Sequence, residues 1–354
     1  MMKTIEALLS GLPNIENKRV YIWGAGNTAL LFREGLARIP QLKIEAFVDN
    51  DPSKHNQCIG NTPIIPADQM IIDSKTFVMI CTGQPSAFTA ITAQLNEMGV
   101  ESANIDAAIF GMFREEIKSA YELLDDEESK RVYLGLLESR ILCRFPADDL
   151  ICSEQYFCFP RFRGAAVGET FIDCGAYVGD SVERYIWSHD GVFGKIIAFE
   201  PDRKNFRAMN SRMERLKREW NIDEEMISFY PYGVSNEDST HYMESYSGNN
   251  GFGSKMSETK GENSEECRTV TLAPFITDGN CFVKADIESY EYKMLQGAAD
   301  AIQKHMPKMA ICIYHNAVDF FTLPLLVKSI CPTYRLSVRH HSATLSETVL
   351  YVHI

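Results

Sequence analysis

The sequence predicts an α/β protein built from two Rossmann-like units, the second carrying a seven-stranded, mainly parallel sheet with an antiparallel last strand. Three observations predict it. A strand running into a glycine turn and a helix occurs at "RVYIWGAGNTALLFREGL" and again at "TFIDCGAYVGD". In each case a further strand ends in an acid, Asp49 lying 23 residues past Gly26 and Glu200 25 residues past Gly175. From residue 169 onward, apolar strand-like runs alternate with helical segments, which is the rhythm of a parallel sheet covered on both faces.

The chain has 354 residues, more than one ordinary core accommodates, and suits two domains and a connector. Hydrophobic residues make up 45% and charged ones 23%, the balance of a globular protein with a sizeable core. A formal net charge of -13 excludes the phosphate backbone of nucleic acid as the main partner, because that binding depends on Lys and Arg. The implied partner is a small or neutral molecule, and a homo-oligomer is compatible with the composition. Ten cysteines without any CxxC pair read as free thiols in a reducing compartment, with Cys81, Cys174, Cys281 and Cys312 in or beside buried strands. No apolar run reaches the roughly 18 residues of a membrane span, and Glu6 interrupts the short apolar N-terminus. A cytoplasmic enzyme without membrane contact is expected.

Residues 1–111 form the first expected domain. Its strands are "RVYIW", "KIEAFVDND" and "TFVMICTG", and its turn reads GxGxxA through Gly24, Gly26 and Ala29, with Asn27 at the helix start. Such a turn holds a nucleotide by its phosphates at the helix N-terminus, with Asp49 on the ribose; NAD or a nucleotide-sugar would suit. The same turn also serves as close strand-to-helix packing without a ligand. Residues 112–168 read as a helical connector, with Asp125 and Asp126 as candidate caps and the aromatic cluster "EQYFCFP" as packing.

Residues 169–354 form the expected second domain. Its strands are "TFIDCG", "KIIAFEP", "MISFYPYGV", "CFVKADI", "KMAICIYHN", "YRLSVRH" and "ETVLYVHI", the last two joined by a short connection. Between them, residues 236–268 are polar and rich in Gly, Ser and Asn, and read as a long flexible insertion, a lid or a disordered loop. Ligands of open α/β sheets bind at the carboxyl ends of the strands, where "DCGAYVG" and Glu200 fall. Asp173 precedes the turn, and the tight GxG that seats a pyrophosphate is missing. Acid facing the ligand suits a cation, and a carboxylate at Glu200 suits a free ribose diol. S-adenosylmethionine (SAM) has both features and no phosphate.

The segment from about residue 120 to the end resembles the FkbM family of SAM-dependent methyltransferases. "FIDCGAYVGD", "AFEPD", "YPYGVSN", "FVKADIESYEYKMLQGA", "ICIYHN" and "YRLSVRHHS" followed by "ETVLY" occur in the family's order. The resemblance implies a cofactor site at Asp173, Gly175, Ala176, Tyr177, Gly179, Asp180, Ser181 and Glu200, lined by Pro201, Asp202, Gly233 and Val234. It also implies hydroxyl methylation of a sugar or glycan precursor. Two departures stand out: Ser289 occupies the glycine position of the family's D-x-E-G-x-E, and Ala273 with Pro274 stands where many relatives carry an acid.

Methyl transfer to oxygen needs a base for the acceptor's proton. His315, just past the fifth strand, is the candidate, since histidine titrates near neutrality. Asp286 and Glu288 are its expected neighbours, on one side if their strand continues. This trio also resembles a divalent metal site, but is read as an acid-base set without metal. Arg339, His340 and His341 at the last hairpin are candidate acceptor contacts. The rival readings are an NAD-dependent oxidoreductase centred on the first turn and a non-catalytic nucleotide-sugar-binding protein.

Overall fold

The computed structural model describes residues 4–245, 254–261 and 264–354. The chain forms two compact units. The first runs to Ile151 and takes in Tyr314–Thr322 and Ser342–Ser346; the second holds Cys152–Ile313, Leu323–His341 and Glu347–Ile354. This differs from the expected division at 111 and 168, because the helices after residue 112 pack with the first unit as far as Ile151.

In the first unit, α1 (Ile5–Ser10) leads into β1 (Arg19–Trp23), α2 (Asn27–Ala37), β2 (Ile44–Val48), β3 (Cys58–Ile59), β4 (Thr62–Ile65) and β5 (Thr76–Ile80). Then come α3 (Pro85–Glu97), β6 (Glu101–Asn104), α4 (Ile105–Met112), α5 (Arg114–Glu122) and α6 (Glu127–Ile141). The sheet order is β3-β4-β2-β1-β5-β6, parallel except for β3. Central β5 is buried at every residue, as a parallel strand covered on both faces must be. Tyr21, Trp23, Val48, Val78, Ile80 and Leu95 share one core cluster on this sheet. Asp126 caps α6, its carboxylate accepting from Ser129 N, as one of the two candidates was expected to do.

The second unit opens with β7 (Thr170–Cys174), α7 (Asp180–Ser188), β8 (Lys195–Phe199), α8 (Arg203–Trp220), β9 (Ile227–Tyr230) and β10 (Tyr232–Ser235). There follow β11 (Ser239–Ser245), β12 (Ser254–Ser257), β13 (Glu265–Thr271), β14 (Cys281–Ala285), α9 (Glu291–Gly297), α10 (Ala299–His305) and β15 (Lys308–Cys312). Helix α11 (Asp319–Ile330) begins in a segment of the first unit, and β16 (Arg335–His340) and β17 (Thr348–His353) close the chain. Seven strands align in the order β16-β17-β15-β14-β7-β8-β9, and β17 alone runs antiparallel to its neighbours. The predicted sheet is therefore present.

The insertion is more ordered than its composition suggests. Strands β11, β12 and β13 join β10 in a second, four-stranded sheet, because His241, Met243, Met256, Cys267 and Val270 supply buried positions among the polar ones. Residues 246–253 and 262–263, on which the rest of the lid expectation falls, lie outside the described residues. All ten cysteines are free thiols, and the four assigned to strands are buried. Among the described residues no helix is long and apolar enough to cross a membrane.

Candidate functional site

The mouth of β7 is built by two left-handed glycines. Gly175 (φ 77°) and Gly179 (φ 79°) adopt backbone that L side chains avoid. Space forbids side chains there as well: a Cβ on Gly175 would lie 1.9 Å from the Asp286 carbonyl oxygen, and one on Gly179 2.7 Å from Met213 Cε. The first glycine thus lets the turn after β7 meet the turn after β14, and the second lets α7 start against α8. Ala176 is fully buried inside this turn, Tyr177 stands 47% exposed with φ 49°, and exposed Asp180 opens α7.

Asp173 does not face a ligand as expected. It is completely buried, with the Lys284 ammonium 3.0 Å away and the Ser181 hydroxyl donating to its other oxygen. Lys284 is 3% exposed, donates to the Gly175 carbonyl at 2.7 Å, and lies over the Tyr156 ring. Burial pushes the Asp173 carboxyl up, while Lys284 and Ser181 pull it down. For Lys284, burial opposes the charge, but Asp173 and Asp286 outweigh it and raise its pKa. With an ammonium held by a carboxylate and a carbonyl, the pair is ionised and its charges cancel locally. Asp173 therefore fixes the turn from beneath.

Glu200, just past β8, is the carboxylate that remains. Its Oε2 accepts from Tyr177 N and its Oε1 from Asp202 N, both at 2.9 Å. It is only 6% exposed, and burial pushes its pKa up to about 7 against the pull of those backbone donors. The Asn205 side chain also hydrogen-bonds this carboxylate, which still keeps part of its acceptor capacity. Pro201 follows, and Asp202 serves as the cap of α8, accepting from Lys204 N and Asn205 N. Gly233 and Val234 are corrected to packing residues. A Cβ on Gly233 would lie 2.2 Å from Met256 Sδ, and Val234 is 1% exposed, so the second sheet fills this space.

Strand β14 stops at Ala285, so Asp286 and Glu288 do not share a strand face. Glu288 (φ 53°) and Ser289 (φ 84°) instead turn left-handed, and the serine occupies backbone for which glycine is better suited. Glu291, the last acid of the D-x-E-G-x-E position and given no role from the sequence, is fully buried and accepts from Ile287 N at 2.8 Å, closing that turn. Asp286 accepts from the Tyr156 hydroxyl at 2.9 Å. Tyr156 is itself left-handed (φ 68°) and held by the Tyr351 hydroxyl on its N–H. Read in sequence as packing, its "EQYFCFP" segment in fact delivers a phenol to a candidate catalytic carboxylate. A lysine within the otherwise apolar "CFVKA" was the legible sign of a polar partner nearby.

His315 belongs to the segment that packs with the first unit, its ring 4.1 Å from that of Tyr314. His340 is fully buried in β16, with Nδ1 3.0 Å from Thr348 Oγ1, which removes it from acceptor contact. His341 is also committed, Nδ1 to the Cys152 carbonyl and Nε2 to the Tyr351 hydroxyl, and burial pushes its pKa down to about 4. Arg339 is half-buried, its guanidinium stacked 4.6 Å from the Phe159 ring.

In the first unit, Gly24 (φ 112°) lets β1 approach β5: a Cβ there would lie 2.4 Å from the Cys81 carbonyl oxygen. Gly26 precedes α2, which Asn27 opens. Asp49 braces its own turn. Its Oδ2 accepts from Ala25 N and Lys54 Nζ, both at 2.8 Å, and its Oδ1 from Asp51 N at 2.9 Å. Burial opposes its charge, but these donors outweigh burial and hold its pKa below the ordinary value.

The strand order of the second unit, a glycine turn after its first strand and an acid after its second define a methyltransferase-type Rossmann fold. Residues 173–340 match the methyltransferase FkbM domain. The chain therefore carries a methyltransferase domain of the FkbM family. A crystal structure of methyltransferase FkbM from Methylobacillus flagellatus matches 99% of this chain and 98% of that one, at 20% identity and TM-score 0.59. An rRNA methylase from Streptococcus thermophilus matches 53% and 87%, at 12% identity and TM-score 0.31. A Streptococcus mutans protein in complex with SAH matches 54% and 91%, at 12% identity and TM-score 0.32. No curated protein matches the sequence.

Proposed function

We propose that the second unit is a SAM-dependent methyltransferase acting on a hydroxyl of a sugar or glycan precursor. The observation that carries the cofactor reading is Glu200: a buried carboxylate at the tip of the second strand, fixed by two backbone N–H groups and the Asn205 side chain and with acceptor capacity left over. That remaining capacity suits a ribose hydroxyl, and a phosphate would be repelled. SAM supplies, when bound, an electrophilic methyl group on a positively charged sulfur. The left-handed turn from Gly175 to Gly179 shapes the backbone beside it. Because Asp173 is neutralised by Lys284, the negative charge favouring a cation comes from Glu200 and Asp286. Tyr156 orients Asp286 through its hydroxyl.

His315, three residues beyond the end of β15, is the proposed base that takes the acceptor's proton, and Arg339 the proposed acceptor contact. The sugar acceptor rests on the likeness of six ordered motifs to FkbM methyltransferases. Calorimetry with SAM tests the cofactor, and transfer from methyl-labelled SAM to a panel of glycosides tests the acceptor. His315→Ala is expected to slow transfer about 100-fold or more while SAM affinity holds. Undiminished transfer would remove His315 from the mechanism.

A further inference from the structure

We propose that helix α2 and the residue that caps its end hold the His315 segment in place, through Gly35 and Arg38, and so position the base. This rests on the reading of His315 as that base. The chain leaves the second unit after β15, and its next nine residues, Tyr314–Thr322, are built into the first unit before α11 continues.

The residue after His315 packs directly on α2. A Cβ on Gly35 would lie 2.5 Å from Asn316 Oδ1 and 2.9 Å from its Cβ, so α2 touches this loop only because residue 35 has no side chain. Asn316 is 1% exposed, and its side-chain amide donates to Asp319 Oδ2 at 3.1 Å, its backbone N–H at 3.2 Å. Arg38, the residue that caps the end of α2, donates to the other oxygen of Asp319 and to Thr322 Oγ1 at 2.7 Å. Asp319 is also 1% exposed, and a carboxylate so buried needs that guanidinium.

Helix α6 holds the other side. Arg140, buried with Asp106 (Nε to Oδ2, 2.8 Å), donates Nη2 to the Tyr314 carbonyl at 3.3 Å. Tyr133 stacks on Phe320 with ring centroids 4.1 Å apart and donates its hydroxyl to the Phe320 carbonyl. The residues on both sides of His315 are thus fixed by first-unit elements more than 170 positions earlier in the chain. General-base catalysis tolerates little misplacement of the base, so such anchoring bears on rate. Nothing in the GxGxxA reading requires Gly35 or Arg38, which lie beyond the turn, in the last turn of α2 and at its cap.

The test uses the full-length protein labelled with 13C at histidine Cε1, and the His315 resonance is assigned by its loss in His315→Gln. Gly35→Ala improves helix propensity, so α2 persists while the added methyl presses on Asn316. In Gly35→Ala and Arg38→Met the His315 resonance should shift or broaden and its titration midpoint move. Arg38→Lys should restore it part-way, with the other histidine resonances and the calorimetric SAM affinity unchanged. A His315 resonance identical in Gly35→Ala and in the unaltered protein overturns the proposal, as does an equal disturbance of every histidine. Should Arg38→Met fail to fold, Gly35→Ala still decides. Transfer from methyl-labelled SAM by His315→Gln separates the two claims. Undiminished transfer removes the base and this inference with it. Lost transfer with an unmoved resonance in Gly35→Ala keeps the base and removes only the role of α2.

Discussion

The two glycine turns of this chain follow one plan and reach different chemistry. After β1, the acid of the following strand bends back onto the turn: Asp49 accepts from Ala25, Asp51 and the Lys54 ammonium, and its charge is held by a cation. After β7, the corresponding Glu200 receives two backbone N–H groups and the neutral Asn205 side chain, and burial lifts its pKa to about 7. The cation of the second site sits one layer deeper, on Asp173. A carboxylate paired with lysine is a brace, whereas one that is buried, fixed and without a cation is ready for a ligand. The position of one lysine separates the two roles.

Moving that charge should break the comparison most severely. Lys284→Met leaves Asp173 buried without its cation and is expected to destabilise the second unit by about 3–5 kcal/mol. Urea unfolding would show it, and adding Asp173→Asn should recover much of the loss. A loss under about 1 kcal/mol would mean that the pair does not hold the turn.

Next in size is Glu200→Ala. Losing hydrogen bonds to a charged acceptor should weaken SAM binding roughly 100-fold by calorimetry, while the backbone donors left behind should cost the second unit about 1–2 kcal/mol, too little to unfold it. Retention of affinity would leave the ligand role of Glu200 without support.

The pH dependence follows with its sign. Ribose hydroxyls favour ionised Glu200, which in the free protein exists mainly above pH 7. SAM affinity should therefore be level above that pH and fall about tenfold per unit below it. An affinity unchanged between pH 5 and 8 would contradict the raised pKa.

The smallest effect sharpens the contrast from the other side. Asp49→Ala removes a brace, should cost about 1–2 kcal/mol in the first unit, and should leave SAM affinity alone. A large fall in SAM affinity would erase the distinction between the turns.

Much of the second unit was legible. Alternating apolar runs announced the seven strands, and the acid after β8 announced Glu200. The insertion was misread because composition averages over residues: buried Met243, Met256 and Val270 are too sparse to raise a polar stretch, yet suffice for one face of a sheet. Asp286 and Glu288 were placed on one face by a period of two that ends at Ala285, where the backbone turns left-handed. His340 and Gly233 had suitable chemistry but are enclosed by Thr348 and Met256.

By itself the sequence determined the strands, the turns and the carboxylates at their ends, since periodicity, glycine and charge act over a few neighbouring residues. Only the tertiary structure decided which carboxylate has a cation beside it. Lys284 lies 111 residues from Asp173 and Lys54 only 5 from Asp49, yet both close to within 3.0 Å. Because charges interact through distance in space, a carboxylate becomes brace or ligand site only once the strands are side by side.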